Sequence, residues 1–345
     1  MNTAAPAPIL IAHRGASGRM PEHTLGAYAL AILQGADFIE PDLVATRDGV
    51  LVARHENEIA GTTDVAAHPE FAARRRTQSV DGVAVTGWFT EDFTLAELKS
   101  LRARERIPLL RPGNTTYDGK LEVPTLQEIL AYLDKVNTVR QQAGQKAVGI
   151  YPETKHPSHF RALGLALEPP LLQALRDGLG AAPVFIQCFE VGNLRQLRKD
   201  CDYPLVQLMS AAGGPWDLQQ STTSYQDMVS PGGLRGIAEY ADAIGVEKTM
   251  VLAPAGDGAL LATGLVANAH AAGLAVHVWT FRAENHFLPS LFRQGDNPAA
   301  HGDLAAEIGA YLTAGVDGLF SDFPGLASTA MQRFAAGAGM VDRST

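Results

Sequence analysis

A chain of 345 residues, 46% of them apolar and 19% charged, has the composition of a globular fold with a sizeable core and not that of a disordered segment. The formal net charge of -9 argues against nucleic acid or an anionic bilayer as the main partner, and no run approaches 18 uncharged apolar residues, so no membrane insertion is expected. An anionic substrate would therefore need a few placed cations or a metal ion.

The N-terminus, MNTAAPAPIL, lacks a basic region followed by a separate apolar one, so the expected compartment is cytoplasmic as written, or periplasmic if a leader has been removed. From there, short apolar runs alternate with longer amphipathic ones, the pattern of βα units and a parallel sheet. Strands are expected at Ile9–His13, Asp37–Val44, Val50–His55, Val148–Glu153, Val184–Phe189, Leu205–Met209, Ala243–Val246, Ala275–Phe281 and Asp317–Ser321. Helices are expected at Thr24–Gln34, Thr125–Arg140, Asn193–Asp200, Leu260–Ala272 and Asp303–Ala314. One strand is too many for an eight-stranded barrel. Asp48-Gly49 accounts for it: as a two-residue type I′ turn it would set Asp42 opposite His55 and Glu40 opposite Asn57, making Val50–His55 the return strand of a hairpin. The alternation alone could equally give an open doubly wound sheet; with the site residues below considered, the expectation is a single α/β domain over 1–345, a (β/α)8 TIM-type barrel.

Residues 56–124 break the rhythm, with the basic run Arg74–Arg76, Trp88-Phe89 and a short helical piece at Thr94–Leu101. A segment this long predicts an inserted cap or small subdomain over one barrel mouth. Thr125, following Pro124 and preceding Glu128 by three, reads as a capped helix start. Cys188 lies in an apolar run and Cys201 after a helical stretch, so one buried and one partly exposed thiol are expected, with no disulfide. The tail after Phe334 is expected to fray.

In barrels the active site forms at the C-terminal ends of the strands. Those positions hold His13 and Arg14, Glu40 and Asp42, His55, Glu153 and Lys155, Gln187 to Glu190, Trp279 and Asp322. Three carboxylates on separate strand ends repel one another unless a cation intervenes, and an all-oxygen set suits Ca2+ or Mg2+ better than Zn2+. Glu40 and Asp42 are two apart, so they share a face. Arg14 and Lys155 can neutralise a phosphate, and His13 with His55 can divide base and acid duties. The other histidines (His23, His68, His156, His159, His270, His277, His286, His301) read as structural, with His23 a candidate exception through packing near the first loop.

HRGASGRMPEHT, GADFIEPDL, TRDG, VARHE, GIYPETKHP, FIQCFE, VHVWTFR and GLFSDFP follow one another from Ile9 to Pro324, and this order resembles the glycerophosphodiester phosphodiesterase family, especially its bacterial, periplasmic-type branch. The resemblance implies hydrolysis of glycerophosphodiesters to sn-glycerol 3-phosphate and an alcohol on a TIM-type barrel with one divalent cation. Position by position, it implies His13 and His55 as the catalytic pair, Arg14 on phosphate, and Glu40, Asp42 and Glu153 as metal ligands. Lys155 matches the E-x-K motif, and Gln187, Phe189 and Trp279 match residues shaping the pocket. Two departures stand out: Glu56 follows His55 where the family carries Asp, and the text beyond it, HENEIAGTTDV, is altered. A lysophospholipase D-like activity would need an apolar rim, for which Trp88, Phe89 and Phe93 are candidates. A non-catalytic binding protein is disfavoured because no expected site residue is missing.

Overall fold

A computed structural model describes residues 7–180, 182–256 and 258–341, with the side chains of 338–341 left aside. Eight parallel strands form a ring: β1 (Ile9–His13), β2 (Phe38–Glu40 and Asp42–Ala45), β3 (Gly149–Ile150 and Glu153–Thr154), β4 (Ile186–Cys188), β5 (Leu205–Met209), β6 (Ala243–Glu247), β7 (Ala275–Phe281) and β8 (Gly318–Ser321). Each pairs with its successor, and β8 returns to pair with β1, Ile11 opposite Phe320. The chain is a TIM-type barrel. β2 and β3 are each split at a proline, Pro41 and Pro152, which have no amide proton to donate. The ladder nevertheless continues across both breaks, through Tyr151 N–H to Ile39 O at 2.8 Å, Glu153 N–H to Pro41 O at 3.0 Å and Lys155 N–H to Leu43 O at 3.1 Å.

Strand alternation sorts the side chains. Ile11, Phe38, Tyr151, Val206, Ala243 and Phe320 fill the barrel interior as one cluster. Leu10, Ala12, Ile39, Ile186, Leu205 and Ile244 belong to the larger cluster formed with the outer helices. Two residues on from the interior layer come His13, Glu40, Glu153 and Asp322, each at a C-terminal strand end. The same periodicity that makes the core thus delivers polar groups to one mouth. Helices flanking the ring include Leu25–Leu33, Leu126–Gln142, Val191–Asp200 and Leu304–Thr313. The helix from Leu126 opens with Thr125 and Glu128 in a reciprocal capping box. Cys188 is buried and Cys201 half-buried, both free thiols. Among the described residues no helix is long and apolar enough to cross a membrane.

Three expectations need correction. The Asp48-Gly49 hairpin pairs Leu43 with Ala53 and Ala45 with Leu51, one residue away from the expected register. Gly49 N–H donates to Thr46 O at 2.9 Å and Gly49 has φ 76°, so the loop is a three-residue one with a left-handed glycine, not a type I′ turn. Asp48 selects it by accepting from Thr46 Oγ1 and Leu95 N–H. Arg54, whose N–H donates to Asp42 O, therefore stands where His55 was expected, and His55 lies past the end of the return strand Leu51–Ala53. The stretch expected as a helix from Leu260 is a small hairpin, Leu252–Pro254 with Leu260–Ala262, and the helix starts only at Leu265 after Gly264 at φ 85°. The last helix runs Pro324–Val341, past Phe334, where the tail was expected to fray, and residues 342–345 of that tail lie outside the described residues.

The insertion holds an antiparallel hairpin, Arg76–Val80 with Val83–Gly87, whose Asp81 (φ 46°) and Gly82 (φ 78°) make the two-residue turn. A one-turn helix follows at Leu95–Leu98, shorter than expected. Phe71, Phe93, Leu98 and Leu101 from this segment join the main core cluster. Arg54 ties insertion to barrel. Fully buried, it donates to Ala53 O, Thr62 O and His23 O. Replacing it with leucine strips buried carbonyls of a charged donor, and should lower the unfolding free energy by about 1.5–3 kcal/mol in denaturant titrations.

Candidate active site

Glu40, Asp42 and Glu153 each bring one oxygen into a group whose atoms all lie within 4.8 Å of one another. All three are buried, at 2%, 1% and 5% exposure. Glu40 is held from both sides, Oε2 accepting the Arg14 N–H and Oε1 the Gln187 Nε2–H, each at 2.8 Å. Asp42 Oδ2 accepts from His23 Nε2 at 2.9 Å, and Tyr28 OH at 2.9 Å from Nδ1 fixes that tautomer. Glu153 Oε1 meets Lys155 Nζ at 3.0 Å.

Burial, then Asp42 and Glu153, push the Glu40 carboxyl well above its ordinary range. Burial lifts Glu153 to about 8, with Asp42 adding to it and Lys155 opposing. Burial acts on Asp42 in the same direction, but Lys155, His23 and Arg14 outweigh it and hold Asp42 low. Such a cluster has more acid than local base to neutralise it. Asp42 Oδ1 is buried with no hydrogen-bond partner among the described residues. An orphaned carboxylate oxygen beside two carboxyls that resist ionisation fits a hard divalent cation with oxygen ligands. Because the raised group must lose its proton to bind, affinity should rise with pH up to about 8 and fall below it, with protons released on binding; calorimetry in buffers of different ionisation heat reads both.

The two imidazoles are clamped alike. His13 Nδ1 donates to Asp322 Oδ1 at 2.5 Å, and Asp322 Oδ2 receives Arg111 Nη2 at 2.5 Å and Arg282 Nε at 2.9 Å. Burial disfavours charge on Asp322, but Arg282 and Arg111 keep it ionised. An ionised carboxylate only accepts, so Nδ1 carries the proton and Nε2 keeps its lone pair. His55 Nδ1 meets Glu56 Oε1 at 2.9 Å in the same way. Burial first, then neighbouring Arg14, lower His13 to about 4; burial, Arg14 and Lys155 lower His55 to about 3. Both rings are neutral bases at neutral pH.

Arg14 sits at φ 59°, a strained left-handed conformation that turns its N–H onto Glu40. Its guanidinium is shared between Glu22, with Nη1 at 3.2 Å, and Asp42, with Nε at 3.4 Å. Phe189 and Trp279 stand edge to face with centroids 6.1 Å apart, and Lys155 Nζ lies 5.9 Å over Phe189. Trp279 Nε1 and Gln187 Oε1 have no partner among the described residues.

His13, Arg14, Glu40, His55, Glu153, Lys155, Gln187, Phe189 and Trp279 all line one cavity of about 860 Å³, with Asp42 behind it in the acidic group. The outer part is built by the loops after β6 and β7, including Leu252, Pro254, Leu260, Phe287, Lys248 and Arg293. Trp88, Phe89 and Phe93 form no rim: the phenylalanines are fully buried, and Trp88 Nε1 donates to Phe71 O. Sequence reasoning gave Asp322 a strand-end position but no role, although its two-residue spacing from Phe320 points it inward. Arg111 and Arg282 carry no local signal; only the fold brings them to Asp322.

The C-terminal mouth of the parallel barrel thus holds three clustered carboxylates and two carboxylate-backed imidazoles, a set able to bind a divalent cation and to move protons. Residues 13–326 match the model of the glycerophosphoryl diester phosphodiesterase family. Glycerophosphodiester phosphodiesterase GDPD6 of Arabidopsis thaliana is 36% identical over 336 residues, covering 92% of this chain and 84% of that protein. The glycerophosphodiester phosphodiesterase of Haemophilus influenzae is 29% identical over 351 residues, covering 92% and 87%. In fold, the chain resembles a putative glycerophosphoryl diester phosphodiesterase from Silicibacter pomeroyi, with TM-score 0.67, 23% identity and coverage of 97% and 95%. It also resembles an Oleispira antarctica phosphodiesterase solved with the product sn-glycerol-3-phosphate, with TM-score 0.60, 20% identity and coverage of 94% and 97%. The chain belongs to the glycerophosphoryl diester phosphodiesterase family.

Proposed function

We infer that this protein hydrolyses glycerophosphodiesters to sn-glycerol 3-phosphate and a free alcohol. The observation that carries the reading is the pairing, in one cavity, of an acidic triad with two neutral imidazoles whose Nδ1 atoms are locked by carboxylates. A divalent cation on Glu40, Asp42 and Glu153, Ca2+ or Mg2+, would supply charge neutralisation at the phosphate. Arg14 and Lys155 flank the same space and hold the remaining anionic oxygens.

One imidazole takes the proton of the glycerol 2-hydroxyl at Nε2 as that oxygen attacks phosphorus. The other delivers a proton from Nε2 to the departing alcohol oxygen. A five-membered cyclic phosphate results, and water opens it with the proton transfers reversed. The bound diester's negative charge works against Arg14 and Lys155, which help depress the imidazoles, and so raises a ring toward the acid role. Attack from within the glycerol unit makes glycerol obligatory while the alcohol may vary, because a tethered hydroxyl has a high effective concentration. Phe189 and Trp279 offer flat faces to the glycerol carbons, and Gln187 keeps Glu40 in place.

The insertion serves as a cap that also reaches into the site, since Arg111 joins Asp322. Its length between His55 and Glu153 supports placement in the bacterial branch that shares such an insertion, while the Arabidopsis thaliana relative spans as much of the chain as the Haemophilus influenzae one. His13→Ala and His55→Ala should each lower kcat for glycerophosphocholine by about 100-fold to 10,000-fold, and EDTA should abolish turnover until Ca2+ or Mg2+ is restored. Full activity in any of the three sinks the reading.

One feature favours a second substrate type. Leu252, Pro254, Leu260 and Phe287 give the cavity an apolar outer arm, beside exposed Leu261 and Leu291. If that arm receives an acyl chain, a lysophospholipid will turn over at least as well as its deacylated counterpart in matched assays; if it does not, the deacylated diester wins.

A further inference from the structure

Glu56, which follows His55, does not end its contacts there. Its Oε1 accepts from His55 Nδ1 at 2.9 Å, while its Oε2 accepts from His156 Nε2, also at 2.9 Å. His156 Nδ1 in turn donates to Asp81 Oδ2 at 2.6 Å. Four side chains from three separate stretches therefore form one hydrogen-bonded line: the insertion hairpin's turn, the loop after β3, and the chain beyond the return strand.

We propose that His156 and Asp81 are positioning residues for the His55 imidazole, acting through Glu56 to hold His55 as the Nδ1–H tautomer with Nε2 presented to the substrate. This rests on the reading of His55 as a catalytic group.

Glu56 is 48% exposed, and a half-exposed glutamate on its own samples several rotamers. Two ring nitrogens on its two oxygens remove that freedom. His156 has an acidic acceptor at each nitrogen, which requires both to bear protons, so the ring is an imidazolium. Burial opposes that charge, but Asp81 and Glu56 prevail and raise it to about 9. Asp81 therefore sets the charge on His156, and His156 sets the direction of Glu56.

The backbone gives a second, independent sign. His156 has φ 48° and ψ 46°, immediately before the helix Pro157–Ala162. Non-glycine residues persist in that region only where their surroundings over-determine them, and such residues cluster at functional sites. Asp81 sits in its own left-handed turn position, and a Cβ on neighbouring Gly82 would lie 2.8 Å from the Trp216 ring, so the hairpin tip is seated against the loop after β5. His156 and Asp81 are thus both held by their backbone surroundings.

The arrangement parallels the one behind His13, where a carboxylate, Asp322, is held by Arg111, and Arg111 by Glu284 at 2.6 Å. In each case imidazole, carboxylate, cation and carboxylate alternate, and in each case the insertion contributes a member. A longer side chain than aspartate at position 56 is what lets the second line close on a histidine.

The test uses His156→Gln and Asp81→Asn in the full chain, alone and combined with Glu56→Gln. Both single variants should lower kcat for glycerophosphocholine by about 10-fold to 100-fold, with KM and bound cation changed by less than about twofold. In the Glu56→Gln background, His156→Gln should add no further loss, since the line is already cut. Nitrogen-15 NMR of labelled histidines, with His55 assigned from its loss in His55→Asn, should show the Nδ1–H form in the parent and a tautomer mixture in each variant. An unchanged His55 tautomer in both His156→Gln and Asp81→Asn overturns the proposal, as do losses that multiply in the double variant. If the parent cleaves no glycerophosphodiester, the functional reading fails, yet the NMR comparison still decides whether His156 positions His55.

Discussion

Like-charge crowding governs this molecule. Three carboxyl groups are brought to one buried spot by strand ends that the barrel places side by side, and Arg14 and Lys155 offset only part of that charge, leaving Glu40 and Glu153 resistant to ionisation. Much else around the mouth answers to that concentration of acid. Arg14 adopts a strained backbone to put its amide on Glu40, and its guanidinium and Lys155 lean on the triad. Arg14 in turn helps keep both imidazoles uncharged, and Lys155 does so at His55. Acid and base functions are thus coupled through space, and no part of the site has its proton affinity set independently of the rest.

The imidazoles are oriented from outside the barrel. A ring of parallel strands places His13 and brings the three carboxylates together, but the groups that hold the imidazoles come mainly from elsewhere. Arg111 belongs to the insertion, Arg282 to the stretch after β7, and Glu56 to the chain leaving the return strand. Residues 56–124 consequently do two jobs. They extend the core through Phe71, Phe93 and Leu98, and they send Arg111 to Asp322.

Much of this was legible in the amino-acid order because barrel strands obey a period of two. Once Ile11, Phe38, Tyr151 and Phe320 are recognised as interior, His13, Glu40, Glu153 and Asp322 follow as the next inward positions. Turn chemistry was less transparent. The Asp-Gly pairs at Asp48-Gly49 and Asp81-Gly82 behave differently, and of these two only Asp81-Gly82 forms the two-residue loop, because Val80 and Val83 pair directly across it. At Asp48-Gly49 the aspartate bonds to Thr46 and Leu95, and the loop gains a residue. That single shift placed Arg54, not His55, against Asp42. The run from Leu260 was expected as helix, but Leu260–Ala262 pairs with Leu252–Pro254 and the helix begins only after Gly264 at positive φ. Arg111 was beyond reach of any local rule, being 211 positions from the aspartate it serves.

The bond between His13 and Asp322 spans 309 positions, nearly the whole chain. His13 meets its aspartate only where β8 pairs with β1, so closing the ring of strands and holding that imidazole are a single structural event.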